Sequence, residues 1–394
     1  MISLRQAYDV IVVGGGPAGS STSFHLADLG KKVLVVEKDR EVGRNVLCAE
    51  GISRGFYEIV KPERGVASEI KKIRILVEDE VDFTVLSKSS FGYILERKIF
   101  DRLLFERAVE KGAVPLINSK FFDLKKEGNY YRVFVNRGGQ IFEFLSQYVV
   151  GADGPGSGVG LKAGMRAELR QGFMHYCSQV YLYDKSIEED RIVFYYSEAL
   201  TPGGYGWVFP KKKGFANVGV GVDTSWYSAD AGLKLFLEKY FPNGKILGAL
   251  RGVVPWGGMD DTLYKDGVFL VGDAGRLADP MSGGGIANAY LSGKIAAESI
   301  ATDSPESYPE SLKKVLGRDY YISTTVKKVF YSLKRDELVE IFKDLKRSLD
   351  GQYLEDINAV SALKMVLGIS PRIFGILVSH GGSKLNEFVR KIIS

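Results

Sequence analysis

The sequence predicts an α/β protein: a Rossmann-like nucleotide-binding domain, a β-sheet-rich second domain and a helical C-terminal tail. Three observations carry that prediction. A Gly-rich turn joins a buried strand to a helix near the N-terminus, two later strands run into turns holding an acidic residue, and a mid-chain segment alternates aromatic with small residues. At 394 residues the chain is long enough for more than one domain. Its 45% hydrophobic and 26% charged residues exclude the disordered and fibrous classes.

The first element is "YDVIVVGGGPAGSSTSFHLADLGKKVLVVEK", residues 8–38, which reads as strand, turn, helix, strand. Val10–Val13 is a continuous apolar run, the pattern of a strand buried on both faces. Gly14, Gly16 and Gly19 stand in GxGxxG order: the first for the turn, the second to admit a pyrophosphate, the third for close helix–strand packing. Ala18 lies within this turn. The following helix N-terminus offers N–H groups and a positive dipole end to phosphates. Glu37 ends the next strand, placed to accept from a ribose hydroxyl. The alternative is a purely structural glycine turn.

Two further pieces separate FAD from NAD. "YVVGADGPGSGVG" (148–160) is a strand leading to Gly151, Asp153 and Gly154. "GVFLVGDAGRLADPMSGGGIANAYLSGKIAAESI" (267–300) is a strand ending at Gly272–Asp273, then Gly283–Gly285 opening a helix at Ile286. Asp273 is placed for the ribityl chain, and the glycine run aims backbone N–H groups at an electron-rich ring edge. Nicotinamide dehydrogenases have no use for this third piece. FAD is therefore the expected cofactor.

The second domain centres on "TPGGYGWVFPKKKGFANVGVGV" (201–222). Tyr205, Trp207 and Phe209 project from one strand face, and Pro210 is expected to stop the strand. In the next strand, Val218, Val220 and Val222 share one face while Gly219 and Gly221 leave the other bare. That bare face either opens a slot or packs directly against the rings, since the register is not fixed by the sequence.

The order of these segments over residues 5–305 resembles the para-hydroxybenzoate hydroxylase-like FAD flavoproteins, which implies an FAD-binding domain of the GR2 type. Two local features are similar to the archaeal geranylgeranyl reductase branch: YxWxFP at Tyr205, Trp207, Phe209 and Pro210, and "GRNVLCAEGISRG" (43–55). The branch usually writes its cysteine loop with CGE where this chain has Cys48–Ala49–Glu50. The resemblance implies a reductase that saturates geranylgeranyl double bonds of membrane-lipid precursors by hydride transfer from reduced FAD. Its substrate would be a prenyl lipid or prenyl diphosphate, its electron donor NAD(P)H or a ferredoxin-type protein. It also implies FAD contacts from Cys48, Ala49, Gly51, Gly285 and Ile286, from Arg97 or Arg102 at the start of a helix, and from the strand at Phe121–Phe122. Tyr205, Trp207, Phe209, Pro210, Gly219 and Gly221 would hold substrate. Cys48 has three readings: a small buried hydrophobe, a wall of the FAD pocket, or a proton donor or redox partner to the flavin. An FAD monooxygenase of the same fold and a non-redox flavoprotein cyclase or isomerase remain as alternatives.

The domain boundaries expected are 1–60, 92–160 and 255–305 for the FAD domain, 61–91 and 161–254 for the substrate domain, and 306–394 for the helical tail. "ATDSPESYPES" (301–311) has linker composition. The tail holds 15 Lys/Arg against 11 Asp/Glu, most of the net charge of +5. Lys327, Lys328, Arg335 and Arg372 are the candidate phosphate contacts, and an anionic membrane surface is a candidate partner. Two cysteines, no signal-peptide pattern and no 18-residue apolar run point to a cytoplasmic protein, peripheral to the membrane at most. Nucleic acid is not expected. His25, His175 and His380 have no partner at ligand spacing, so neither a metal nor a hydrolytic triad is expected.

Overall fold

The computed structural model describes residues 6–44, 46–166, 173–223, 227–354 and 369. Two large sheets and one small sheet carry the architecture. In the first, strands Val268–Leu270, Gln140–Gly151, Gln6–Val13, Val33–Val36 and Val114–Leu116 run parallel in that spatial order. Val10, Ile11 and Val12 are fully buried at its centre, as a two-sided strand requires. Each contributes about 1.5–3 kcal/mol relative to exposure. Helices Pro17–Asp28 and Ile286–Ala301 cross closely on this sheet. A Cβ at Gly293 would lie 2.4 Å from the Ala18 carbonyl oxygen, so only glycine permits that crossing.

The second sheet has seven strands, in the order Lys245–Pro255, Met174–Tyr183, Phe215–Val222, Tyr205–Lys212, Arg191–Tyr196, Lys72–Val77 and Val81–Leu86. The strand does not stop at Pro210. It runs on to Lys212 with a register shift between those residues, the irregularity that accommodates a residue lacking an N–H. One face of the sheet buries Val208, Val218, Val220 and Val222 against helix Ala229–Tyr240. The other face carries the aromatic residues.

The small sheet, strands Gly51–Ser53, Gly92–Leu95 and Val66–Ile70, joins the two. Ser68 Oγ donates to the Pro210 carbonyl at 2.5 Å, tying it to the aromatic strand.

The segment read as a linker is a packed, largely helical junction. Helix Ile286–Ala301 is followed by a short turn and helix Tyr308–Phe330. Tyr308 is fully buried and its hydroxyl donates to the Leu270 carbonyl at 2.9 Å. The helix starts in the core of the first sheet, with Leu312 and Tyr320, and ends with Ile322 and Val329 in a core against Val77, Val81 and Phe83 of the second. Helix Arg335–Leu349 closes that core. Among the described residues no helix is long and apolar enough to cross a membrane.

Candidate functional site

The site begins at the turn after strand Gln6–Val13. Gly14 has a φ of +108°, and a Cβ there would lie 2.2 Å from the Ala152 carbonyl oxygen. A Cβ at Gly19 would lie 1.8 Å from the Gly14 carbonyl oxygen. A Cβ at Gly16 would meet nothing within 4 Å. The chain itself dictates the first and third glycines, while the middle one faces open space at a helix N-terminus that no side chain caps. Glu37 is buried beside the turn, accepting from the Gly15 N–H at 2.7 Å and the Asp39 N–H at 2.8 Å.

A second helix N-terminus, Gly285–Ile286, is likewise without a side-chain cap. Its loop is shaped by Asp279, whose Oδ1 accepts from Met281 N, Ser282 N and Ser282 Oγ at 3.1, 2.7 and 2.8 Å. Asp273 stands in the turn Gly272–Gly275; burial pushes its carboxyl up, while Arg97 and Arg166 act against that shift. Ala18 packs under Gly272, whose added Cβ would lie 2.9 Å from its methyl. Two uncapped helix N-termini, an open glycine and a buried carboxylate fit the diphosphate, ribose and ring edge of FAD. Asp153 accepts from Ser157 Oγ at 2.9 Å and from Val159 N at 3.0 Å.

The cysteine loop supplies the next wall. Cys48 Sγ accepts from the Glu50 N–H at 3.2 Å, and Glu50 sits at φ +72°, a conformation that costs a non-glycine residue about 1–2 kcal/mol. Its carboxylate pairs with Lys211 Nζ at 2.5 Å, and the same ammonium meets Glu96 at 2.8 Å. Arg97 is locked to Asp101 through two parallel bonds of 2.6 and 2.8 Å, both residues buried. Burial pushes the Cys48 thiol up, with Arg97 acting against it, so Cys48 is a thiol rather than a thiolate at neutral pH.

The aromatic face meets this loop. Tyr205, Trp207 and Phe209 do share a face, in a cluster with Ile70, Ile94, Cys177, Ile192 and Phe194. Phe194 stands 5.5 Å from the Tyr205 ring and 5.6 Å from the Phe209 ring, both edge-on. Trp207 Nε1 donates to Gln179 Oε1 at 3.2 Å. Tyr205 donates to the Ser282 carbonyl and so links the aromatic strand to the Gly283–Gly285 loop. Phe209 covers Gly51, where a Cβ would lie 2.7 Å from its ring; Leu47 and Ala49 pack on the same cluster.

Of the two expectations for Gly219 and Gly221, an open slot is overturned. Trp207 pairs with Gly219, and a Cβ there would lie 2.2 Å from the indole; one at Gly221 would lie 3.5 Å from it. Gly219 makes room for the protein's own ring, whereas a Cβ at Gly221 would make only ordinary contact with it and with Cys177.

Other expected residues are dispersed. Arg102 is exposed and paired with Glu106 at 2.8 Å, so of the two arginines only Arg97 enters the cluster. Phe122 is 58% exposed on strand Lys120–Glu127. Lys327 is buried and paired with Asp223 at 2.8 Å, which removes it from any surface role. Arg335 pairs with Glu80 and Asp336, while Lys328 is exposed. Arg372 and His380 lie outside the described residues. The sequence reading missed Glu50 as a charge partner, along with Lys211, Cys177, His175 and Asp223. Nothing local in "FPKKKG" tells the buried lysine from its exposed neighbours.

The family model for the geranylgeranyl reductase catalytic domain matches residues 174–254, and that for FAD-dependent oxidoreductases matches residues 9–182. The digeranylgeranylglycerophospholipid reductase of Methanothrix thermoacetophila is 35% identical over 92% of this chain and 97% of its own length. That of Methanocaldococcus jannaschii is 33% identical over 89% of this chain and 94% of its own. A geranylgeranyl bacteriochlorophyll reductase-like protein from Thermoplasma acidophilum superimposes with a TM-score of 0.88 at 30% identity, covering 95% of this chain and 99% of that one. The flavin-dependent brominase Bmp2, at 17% identity and a TM-score of 0.69, shares the fold.

Proposed function

Since this chain belongs to the digeranylgeranylglycerophospholipid reductase family, we propose that it saturates isoprenoid double bonds of a digeranylgeranylglycerophospholipid, with FAD as the hydride source. The observation that carries this reading is the meeting of three elements: the uncapped Gly285–Ile286 helix end, the Cys48 loop and the Tyr205–Trp207–Phe209 face.

FAD, when bound, supplies a hydride acceptor and donor. The Gly14–Gly19 turn and the helix after it would bind the diphosphate, Glu37 would hold a ribose, and the Gly283–Gly285 amides would orient the ring edge. An isolated alkene offers neither charge nor hydrogen bond, so its site must work by position and exclusion of water. The aromatic face provides rigid apolar area at low entropic cost. Cys48 keeps a proton on Sγ at neutral pH and is the group we assign to give one alkene carbon its proton, the thiolate left behind regaining a proton from solvent before the next turnover. Arg97 and Lys211 beside that loop are each held in an ion pair, with Asp101 and Glu50. NAD(P)H or a ferredoxin-type protein is the electron donor in this scheme. The substrate is drawn from the membrane surface, with the exposed face around Lys328 meeting head groups.

The test is product mass. Protein reduced with dithionite under argon and given digeranylgeranylglyceryl phosphate should yield lipid heavier by two hydrogens per turnover. An oxygenated product on admission of air, with none formed before, would instead favour the monooxygenase.

A further inference from the structure

Strand Tyr205–Lys212 carries one residue more than its neighbour can pair. The ladder to strand Phe215–Val222 joins Pro210 to Ala216 and Lys212 to Phe215, so Lys211 is the extra residue of a bulge, without a cross-strand partner. Bulges beside active sites re-aim a side chain. Here that side chain is buried and meets the cysteine loop. Lys211 Nζ lies 2.5 Å from Glu50 Oε2 and donates to Glu96 Oε2 at 2.8 Å. Glu96 holds the N-cap position of helix Arg97–Glu110. One ammonium thus joins the aromatic strand, the cysteine loop and the helix that carries Arg97.

Neighbouring contacts lay the loop across the same sheet. Leu47 covers Gly252, where a Cβ would lie 2.8 Å from its Cδ2. Asn217 Nδ2 donates to the Ala49 carbonyl at 3.4 Å, and Phe209 covers Gly51. Cys48 stands among these residues, its Sγ accepting from the Glu50 N–H at 3.2 Å with Glu50 in a left-handed conformation at φ +72°. A non-glycine residue keeps that conformation only where its surroundings over-determine it. Two groups do so here: the Leu95 N–H, which donates to the Glu50 carbonyl at 2.8 Å, and the Lys211 ammonium on the Glu50 carboxylate. We propose that Lys211 is a positioning residue for Cys48: by holding the Glu50 carboxylate to the aromatic strand, it fixes the turn that sets where the thiol stands against the aromatic face. This rests on the reading of Cys48 as the proton donor. It gives the bulge after Pro210 a part in the chemistry, although Lys211 itself transfers nothing.

The experiment pairs two readouts. One is the saturating rate of flavin reoxidation when reduced protein meets digeranylgeranylglyceryl phosphate without oxygen. The other is the rate at which iodoacetamide alkylates Cys48 in the apoprotein. The chain has two cysteines and Cys177 is buried, so mass spectrometry assigns the site. Lys211→Met leaves the Glu50 and Glu96 carboxylates without their shared cation. It should slow reoxidation about a hundredfold, as a misplacement of about 1 Å does, with little change in the half-saturating lipid concentration. Cys48 alkylation should become faster. In Cys48→Ala, itself slowed, adding Lys211→Met should change the rate little further, because residues that act as a unit are not additive. Should Lys211→Met not fold, Glu50→Gln removes the loop's charge, keeps the Lys211–Glu96 pair and is read the same way. Wild-type turnover or wild-type alkylation in Lys211→Met, or the full further loss in Cys48→Ala, would overturn the proposal. Wild-type turnover in Cys48→Ala alone would instead overturn the proton-donor reading of Cys48.

Discussion

Glycines crowd two regions of this molecule for opposite reasons. At the Gly14–Gly19 turn, the middle glycine faces space into which a Cβ would meet nothing within 4 Å. On the second sheet, a Cβ at Gly219 would fall 2.2 Å from the Trp207 indole. The first space is open and the second is filled by the chain. A bare glycine on a strand therefore says that something large is opposite, and only the cross-strand register tells whether it is substrate or self.

The largest effect we expect comes at the position between these regions. Arg97→Met leaves Asp101 buried and unpaired, a loss of about 3–5 kcal/mol read as a fall in denaturant midpoint. Retained stability would mean that Asp101 finds another partner and that the loop is not fixed by this pair. Next comes Gly219→Ala, where overpacking against the indole should cost about 1–3 kcal/mol. Adding Trp207→Leu should recover part of it, and failure of that rescue would break the self-filling account. Gly16→Ala should leave apoprotein stability within about 0.5 kcal/mol yet weaken FAD about tenfold, close to 1.4 kcal/mol. Equal losses at Gly16 and Gly219, both in stability, would erase the distinction drawn between them. The smallest effect belongs to Arg102→Ala, whose exposed pair with Glu106 is worth under about 1 kcal/mol; FAD affinity should not change.

Much of the first region was legible because its constraints are local. The turn glycines, Pro17 and the buried Val10–Val13 run all act within a few residues, and their roles follow from backbone sterics. The aromatic face was legible as a face, since strand periodicity alone places Tyr205, Trp207 and Phe209 together. The destination of the bare glycines was not, because it depends on pairing between strands. Lys211 and Lys327 were unreadable for the same reason: each sits in a basic run and is buried by a partner, Glu50 or Asp223, far away in sequence. Composition misled at 301–311, where Pro and Ser mark helix starts rather than slack, and Tyr308 pins the junction. Arg97 and Arg102 both begin the same helix, and only its docked orientation sends one inward.

The central claim is that the cysteine loop and the aromatic face hold an isoprenoid alkene against bound flavin. Its most direct test is stopped-flow absorbance of the reduced protein mixed with digeranylgeranylglyceryl phosphate in the absence of oxygen. The account predicts reoxidation of the flavin at a rate that rises with lipid concentration and saturates. A flavin that stays reduced at every lipid concentration until air is admitted would contradict it.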